Sequence, residues 1–134
     1  MSTHVRLRLG DEEYALPVEW VSEVVDVGVL APVPGAPASV LGIRNLRGRI
    51  LPVFDLGALL GVRSGNERTR VVVAGEEHQS AGLAVDGVSD VCELPEPDEE
   101  TQSPFLRGAV LADGALVGIV DVQRVLAALE AEGD

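Results

Sequence analysis

One sequence pattern occurs twice in this chain, and the repeat limits the possible folds more than any other feature. Three residues in the first half recur 66 positions later: Gly42 as Gly108, Gly48 as Gly114 and Asp55 as Asp121. With one more residue of offset, the segment 16–24 matches the segment 83–91. A duplicated pattern in a chain of 134 residues predicts two similar subdomains within a single domain.

Short apolar runs between turn residues predict β-strands in both halves. In the first half, strands are predicted at 40–46 and 49–55, because both runs are rich in Val, Ile or Phe and flank Arg47-Gly48. In the second half, Asp113-Gly114 separates a matching pair of runs. Each half is therefore expected to contain this hairpin.

The sequence also predicts helices after both hairpins. Leu56, Leu59 and Leu60 recur at helical spacing, and Gly61 stands where a C-terminal cap is expected. Val122–Glu132 carries a longer apolar stripe and is the clearest helix of the chain.

The N-terminal region is predicted to form two strands and a short helix. The segment 4–9 alternates, with Arg6 and Arg8 on the side opposite its apolar residues, which predicts a half-buried strand. A second strand is expected at 13–18. Valines at helical spacing then predict a short helix over Val18–Val25.

These elements predict a mainly β fold with short helices, built from two β-barrels of about five strands each. The first barrel is expected at roughly 10–65, the second at roughly 70–121 and the C-terminal helix at 122–132, while the strand 4–9 can join either barrel. Two barrels that pack on each other leave a groove lined by Val and Leu, and such a groove suits a partner's helix.

Composition excludes several classes of function. The formal charge of −12 and the pI of about 4.4 disfavour nucleic acid and anionic membranes, which require clustered Lys and Arg. The single cysteine, Cys92, excludes an internal disulfide. Since neither a signal peptide nor an apolar run of about 20 residues is recognisable, the cytoplasm is expected, without membrane insertion. We expect a monomer in isolation.

No catalytic, cofactor or metal site is predicted. Asp55 and Asp121 occupy equivalent positions, which raises the alternative of an aspartate-dyad hydrolase. Each aspartate, however, ends a predicted strand and precedes a predicted helix, so that a helix N-cap is favoured. His4 and His78 lie in separate halves without metal-binding spacing and are interpreted as surface residues, and Cys92 lies in an apolar run as an inert thiol.

The chain resembles the CheW family, the adaptors that couple chemoreceptors to the histidine kinase CheA. Five motifs carry the resemblance in the expected order: Gly10–Tyr14, Val21-x-Glu23-Val24, Pro34–Pro37, Asn45–Gly48 followed by a strand and Pro52-Val53-x-Asp55-Leu56, and Val85–Val91. The resemblance covers nearly the whole chain. It implies two SH3-like barrels related by internal duplication, and a non-enzymatic adaptor as the function.

The resemblance also implies partners and contact residues. The partners would be the cytoplasmic tip of a chemoreceptor and the regulatory domain of a CheA-type kinase, and the array could serve flagellar chemotaxis, pilus motility or developmental signalling. The candidate receptor-binding residues are Val21, Glu23, Val24, Arg44, Asn45 and Arg47. The kinase-contact residues cannot be assigned by the motifs.

Two alternatives remain open at this point. Arg44, Arg47 and Arg49 form one basic cluster in an acidic chain, and they can serve either as ion-pair partners of internal acids such as Glu23 or as interface arginines. The chain can also be a detached kinase regulatory module that pairs with another such module without any receptor.

Overall fold

Two five-stranded sheets make up most of the structure. The computed structural model describes residues 1–62, 68–76, 79–97 and 103–132, apart from the side chains of 130–132. The strands are β1 (Ser2–Leu9), β2 (Glu12–Pro17), β3 (Val21–Asp26), β4 (Val40–Leu46), β5 (Arg49–Asp55), β6 (Arg70–Glu76), β7 (Gln79–Val85), β8 (Gly87–Leu94), β9 (Leu106–Ala112) and β10 (Ala115–Val120). The helices are α1 (Leu56–Leu60) and α2 (Val122–Glu132), with a 3₁₀ turn at Val18–Trp20.

The two sheets have the same topology but exchange strands between the halves of the chain. The first sheet has the order β8-β1-β2-β10-β9, and the second has the order β3-β6-β7-β5-β4. The second order repeats the first when each strand is replaced by its counterpart in the other half. In each sheet, a hairpin from one half pairs with three strands from the other half. This arrangement confirms the predicted duplication and the two SH3-like subdomains.

The division of the chain therefore differs from the predicted boundaries of 10–65 and 70–121. The strands β1 and β2 lie in the same sheet as β8, β9 and β10, so the strand 4–9 belongs with the second-half strands. The exchange depends on the parallel pairing of β2 with β10 and of β7 with β5. A sequence repeat shows which strands of the two halves correspond. Only the strand pairing in the folded protein shows which of these strands lie in the same sheet.

Backbone geometry shows the duplication residue by residue. Arg47 and Asp113 have φ of 53° and 52°, and the following Gly48 and Gly114 have φ of 84° and 79°. Positive φ at both central residues is typical of the type I′ turn, whose twist matches that of the flanking strands. The two predicted hairpins are thereby confirmed, with the same turn in each.

The prediction of a helix over Val18–Val25 is wrong beyond its first turn. Only Val18–Trp20 is helical, and Val21–Asp26 forms the edge strand β3, which pairs antiparallel with β6. Exposure alternates along β3, as expected of a strand with one covered face. The valine spacing is compatible with a helix and with a strand. Branched side chains favour the strand, and pairing with β6 stabilises it.

The half-buried description of β1 is also wrong over residues 4–7, where side chains on both faces are buried. β1 lies between β8 and β2, and His4 and Arg6 are 4% and 6% exposed. His4, expected at the surface, is therefore interior, and its Nδ1 lies 2.9 Å from the carbonyl oxygen of Ser2. His78 lies outside the described residues.

Among the described residues, three apolar clusters hold the fold together. The largest lies between the sheets and combines residues of both sheets with α2, including Leu7, Leu16, Val72, Leu83 and Val125. Each sheet also has a smaller cluster of its own, around Val117 and Ile119 in the first and around Val53 and Val71 in the second. The shared apolar interface predicted between the subdomains is thus present. Among the described helices, none combines the length and apolar character needed to cross a membrane.

Candidate functional site

The two edges of the second sheet meet at one surface, and the six predicted receptor-binding residues lie on those edges or on the turn after β4. β3 and β4 are opposite edges of this sheet. The guanidinium of Arg47 pairs with the carboxylate of Glu23, and Arg44 Nη1 donates to the carbonyl oxygen of Asp26. These contacts show that the sheet curls until its edges touch. We call this region the β3–β4 surface and define it by Val21, Glu23, Val24, Arg44, Asn45 and Arg47.

Arg47 is the exposed cation of the β3–β4 surface. It occupies the first central position of the β4–β5 turn, and its side chain is 69% exposed, against 30% for Glu23. An ion pair with this exposure contributes at most about 1 kcal/mol to stability. Most of the guanidinium therefore faces solvent, where a partner can contact it. The ion pair with Glu23, which the sequence left open as an alternative, is present. It leaves most of the Arg47 side chain accessible to a partner.

Arg44 and Asn45 instead support the local backbone. Arg44 covers Gly28, where an added Cβ would lie 3.1 Å from Arg44 Cζ. Asn45 Oδ1 accepts a hydrogen bond from the backbone N–H of Gly48 at 2.9 Å and so fixes the turn that presents Arg47. Arg44 and Asn45 thus hold the backbone of the β3–β4 surface in place, while Arg47 presents a positive charge to solvent.

The two valines of the surface face away from the ion pair. A bulge between Val21 and Glu23 shifts the register of β3 against β6. As a result, Val21 packs against the cluster between the sheets, and Val24 lies opposite Val72 of the same cluster. Val24 remains 39% exposed. The edge strand thus presents an apolar face on one side and the Glu23–Arg47 pair on the other.

Asp55 and Asp121 have the geometry of helix caps. Asp55 Oδ1 accepts from the backbone N–H of Ala58 at 3.4 Å, and Asp121 Oδ1 accepts from that of Arg124 at 3.1 Å. Asp55 also pairs with Arg68 at 2.6 Å, whereas Asp121 lies 3.6 Å from the guanidinium of Arg124. Since each carboxylate serves its own helix and its own arginine, this arrangement does not support a shared-proton dyad. The described residues also contain no group of three or more His, Cys, Asp or Glu side chains placed to hold a metal ion.

Comparison with known proteins assigns the family. The model of the CheW-like domain matches residues 3–130. The chain belongs to the CheW-like family. It is 33% identical over 138 residues to the chemotaxis protein CheW of Rhizobium meliloti (strain 1021), covering 96% of this chain and 89% of the relative. It is 35% identical over 115 residues to the protein FrzA of Myxococcus xanthus, covering 84% and 70%.

A solved structure agrees with this assignment. The crystal structure of the scaffolding protein TtCheW from Thermoanaerobacter tengcongensis superposes with a TM-score of 0.80 at 29% identity, covering 90% of this CheW-like chain and 84% of that protein. Family membership and this neighbour indicate a non-catalytic adaptor in chemotaxis signalling.

Sequence reasoning missed a second exposed feature, at the tip of the β9–β10 hairpin. Leu111 and Leu116 are directly opposed on neighbouring strands and are 73% and 62% exposed. The sequence signal was available, since both leucines flank the Asp113-Gly114 turn. The strand prediction includes both leucines but does not specify the face that they share.

Proposed function

We propose that this chain couples the tip of a chemoreceptor to the regulatory domain of a CheA-type histidine kinase in the cytoplasm. It acts as a scaffold in two-component signal transduction and makes or breaks no covalent bond. The observation that carries the proposal is the pairing of Arg47 with Glu23, because it brings two separate family motifs to one surface of a CheW-like fold.

The geometry supports a specific mode of receptor contact. The receptor tip is a helical hairpin, and a helix can lay apolar residues against Val21 and Val24 along the edge strand. Arg47, on the other side of that edge, can exchange Glu23 for an acceptor on the receptor at low cost, because the internal pair is weak. Arginine is favoured at such interfaces over lysine.

The kinase contact is expected elsewhere on the molecule. The regulatory domain of the kinase has the same SH3-like architecture by family resemblance, so that contact between barrels is the natural mode of pairing. Since Arg47 is assigned to the receptor contact, we expect Arg47→Glu to weaken receptor binding and to leave kinase binding unchanged.

A pull-down from the native cytoplasm tests the proposal, with tagged wild-type chain and Arg47→Glu compared side by side. Arg124→Glu is the matched control, since Arg124 is 67% exposed, is also paired with an acid and lies on α2. We expect wild type and the control to retain a receptor and a CheA-like kinase, and Arg47→Glu to retain the kinase alone. Near-UV circular dichroism and the melting temperature of Arg47→Glu should match wild type.

Other outcomes would change the proposal. A kinase without any receptor in the wild-type lane would favour the detached regulatory module. Neither protein in any lane would show that the fold serves another task. Loss of both partners together with unfolding of Arg47→Glu would show that Arg47 is structural.

A further inference from the structure

The first sheet carries an open cleft on the face formed by β2, β9 and β10. Its volume is about 370 Å³. Its lining includes Gly118 and the apolar side chains of Tyr14, Leu106 and Leu116. An added Cβ at Gly118 would lie 2.8 Å from the ring of Tyr14, so the ring packs on Gly118 and its position depends on glycine. The cleft lies on the other sheet from the β3–β4 surface.

The duplication shows what covers the same positions on the second sheet. The counterparts of Tyr14 and Gly118 are Ala81 and Pro52. There, Leu126 and Leu129 of α2 border the corresponding hollow, and Leu129 is buried. The face of the second sheet is thus occupied by a helix that brings leucines at i and i+3.

The counterpart of α2 is too short to cover the first sheet in the same way. α1 has 5 residues and α2 has 11, which correspond to about 7.5 and 16.5 Å of helix. α1 ends at Gly61, whose φ of 70° stops the helix. Among the described residues, no side chain of α1 lines the cleft.

The rim of the cleft is acidic. Asp11, Glu12 and Glu13 line it, and the described lining includes no basic side chain. Tyr14 Oη donates to Glu12 Oε2 at 2.5 Å and holds that carboxylate at the rim. Burial, together with this hydrogen bond, raises the pKa of Tyr14, so the hydroxyl stays a donor. Glu13 forms an ion pair with the buried Arg6. The carboxylates of Asp11 and Glu12 are therefore the ones that can pair with a basic partner.

We propose that this cleft docks an amphipathic, basic helix of a partner protein. The helix would take the place that α2 takes on the second sheet, with apolar residues at i, i+3 or i+4, and i+7 facing Tyr14, Leu106 and Leu116. Lys or Arg beside that stripe would face Asp11 and Glu12. The exposed Leu111, next to Leu116, extends the apolar strip toward the tip of the hairpin. This site is independent of the proposed receptor contact.

Fluorescence anisotropy with two synthetic helices tests the proposal on the intact chain. Both peptides have about 18 residues, enough to be helical alone, and carry the same leucine stripe. One has lysines beside the stripe, and the other has glutamates. We expect saturable binding of the lysine peptide and none of the glutamate peptide. Leu116→Glu should weaken the binding of the lysine peptide at least tenfold.

Ile50→Glu is the matched control, because Ile50 is the counterpart of Leu116 on the second sheet and is 73% exposed. It adds the same charge outside the cleft and should leave binding within twofold of wild type. Equal loss in Ile50→Glu and Leu116→Glu would overturn the proposal, because it would indicate attraction to net charge alone. Absence of binding by the lysine peptide would overturn it too.

Amide chemical shifts locate the bound peptide. Perturbations centred on Tyr14, Ala109 and Gly118 support the cleft, and perturbations centred on the β3–β4 surface contradict it. Arg47→Glu should bind the lysine peptide as wild type does, so that failure of this proposal and failure of the receptor proposal remain distinguishable. Leu116→Glu should keep the wild-type melting temperature, since the position is exposed.

Discussion

Removing the carboxylate of Glu13 is expected to destabilise the fold strongly, because Glu13 neutralises a buried arginine. The side chain of Arg6 is 8% exposed, and its Nε and Nη2 donate to Glu13 at 3.1 and 3.0 Å, while Nη1 donates to Asp113 at 3.1 Å. Breaking a buried pair typically costs about 3–5 kcal/mol. Since the Glu13 side chain is itself 26% exposed and Asp113 remains, we expect Glu13→Ala to cost about 2–3 kcal/mol.

Two further variants test whether the loss of stability in Glu13→Ala comes from an unpaired buried charge or only from a lost contact. Asp113→Ala should cost well under about 1 kcal/mol, because that side chain is 87% exposed and its ion pair is screened by solvent. Arg6→Met should stay within about 1 kcal/mol of wild type, since it removes the buried charge together with its need for a partner. The hydrogen bond to Glu13 raises the pKa of Arg6 against the opposing effect of burial, so the side chain is charged throughout the accessible pH range.

Thermal and urea unfolding, followed by the fluorescence of the single tryptophan, Trp20, measure these differences. At roughly 4 °C per kcal/mol for a chain of this size, Glu13→Ala should lower Tm by about 10 °C. A loss below about 1 kcal/mol in Glu13→Ala, or a larger loss in Arg6→Met than in Glu13→Ala, would refute the reasoning, because a buried, charge-dependent Arg6 requires the reverse.

Three further predictions follow from local geometry. Asp121→Ala should cost about 1 kcal/mol through the lost cap while partner binding in the pull-down is unchanged, and a binding loss at unchanged stability would contradict the capping role. Gly82→Ala should cost about 1–3 kcal/mol in urea unfolding, because its Cβ would lie 2.7 Å from Val71 Cγ1; a neutral result would show that the core can shift. Burial raises the pKa of Tyr14, so above about pH 10 the unfolded chain releases a proton that the folded chain keeps, and stability falls as pH rises. Absorbance of this single tyrosine at 295 nm should therefore show ionisation only together with unfolding, and ionisation of the folded chain near pH 10 would contradict the assignment.

Sequence patterns predicted the repeated hairpins because their signals are local. The glycines of the turns Arg47-Gly48 and Asp113-Gly114 favour positive φ, and Gly61 ends α1 where the leucine spacing predicts. α2 agrees with its predicted bounds for the same reason, since its stripe and its preceding Asp121 act within a few residues.

Features that depend on distant pairing could not be predicted in this way. The exchange of hairpins between halves arises from the parallel pairing of β2 with β10, which has no local signature. Arg6 is interior, where it bonds Glu13 of β2 and Asp113 of the β9–β10 turn, although alternation placed Arg6 on the solvent side. Val21 belongs to a strand because β6 pairs with it.

The candidate site was predicted in part. The motifs named Glu23 and Arg47, but only the curl of the second sheet shows that they touch. The acidic cleft was not predicted, because it requires the comparison of α1 with α2 on folded sheets.

The most direct test of the adaptor is co-sedimentation of the CheA-like kinase with membranes that carry the chemoreceptors of the same cell. The kinase is mixed with the membranes alone, with wild-type chain and with Arg47→Glu. We expect the kinase to sediment only when the wild-type chain is present and to remain in the supernatant with Arg47→Glu. Equal sedimentation of the kinase without the chain, or none with it, would contradict the coupling role.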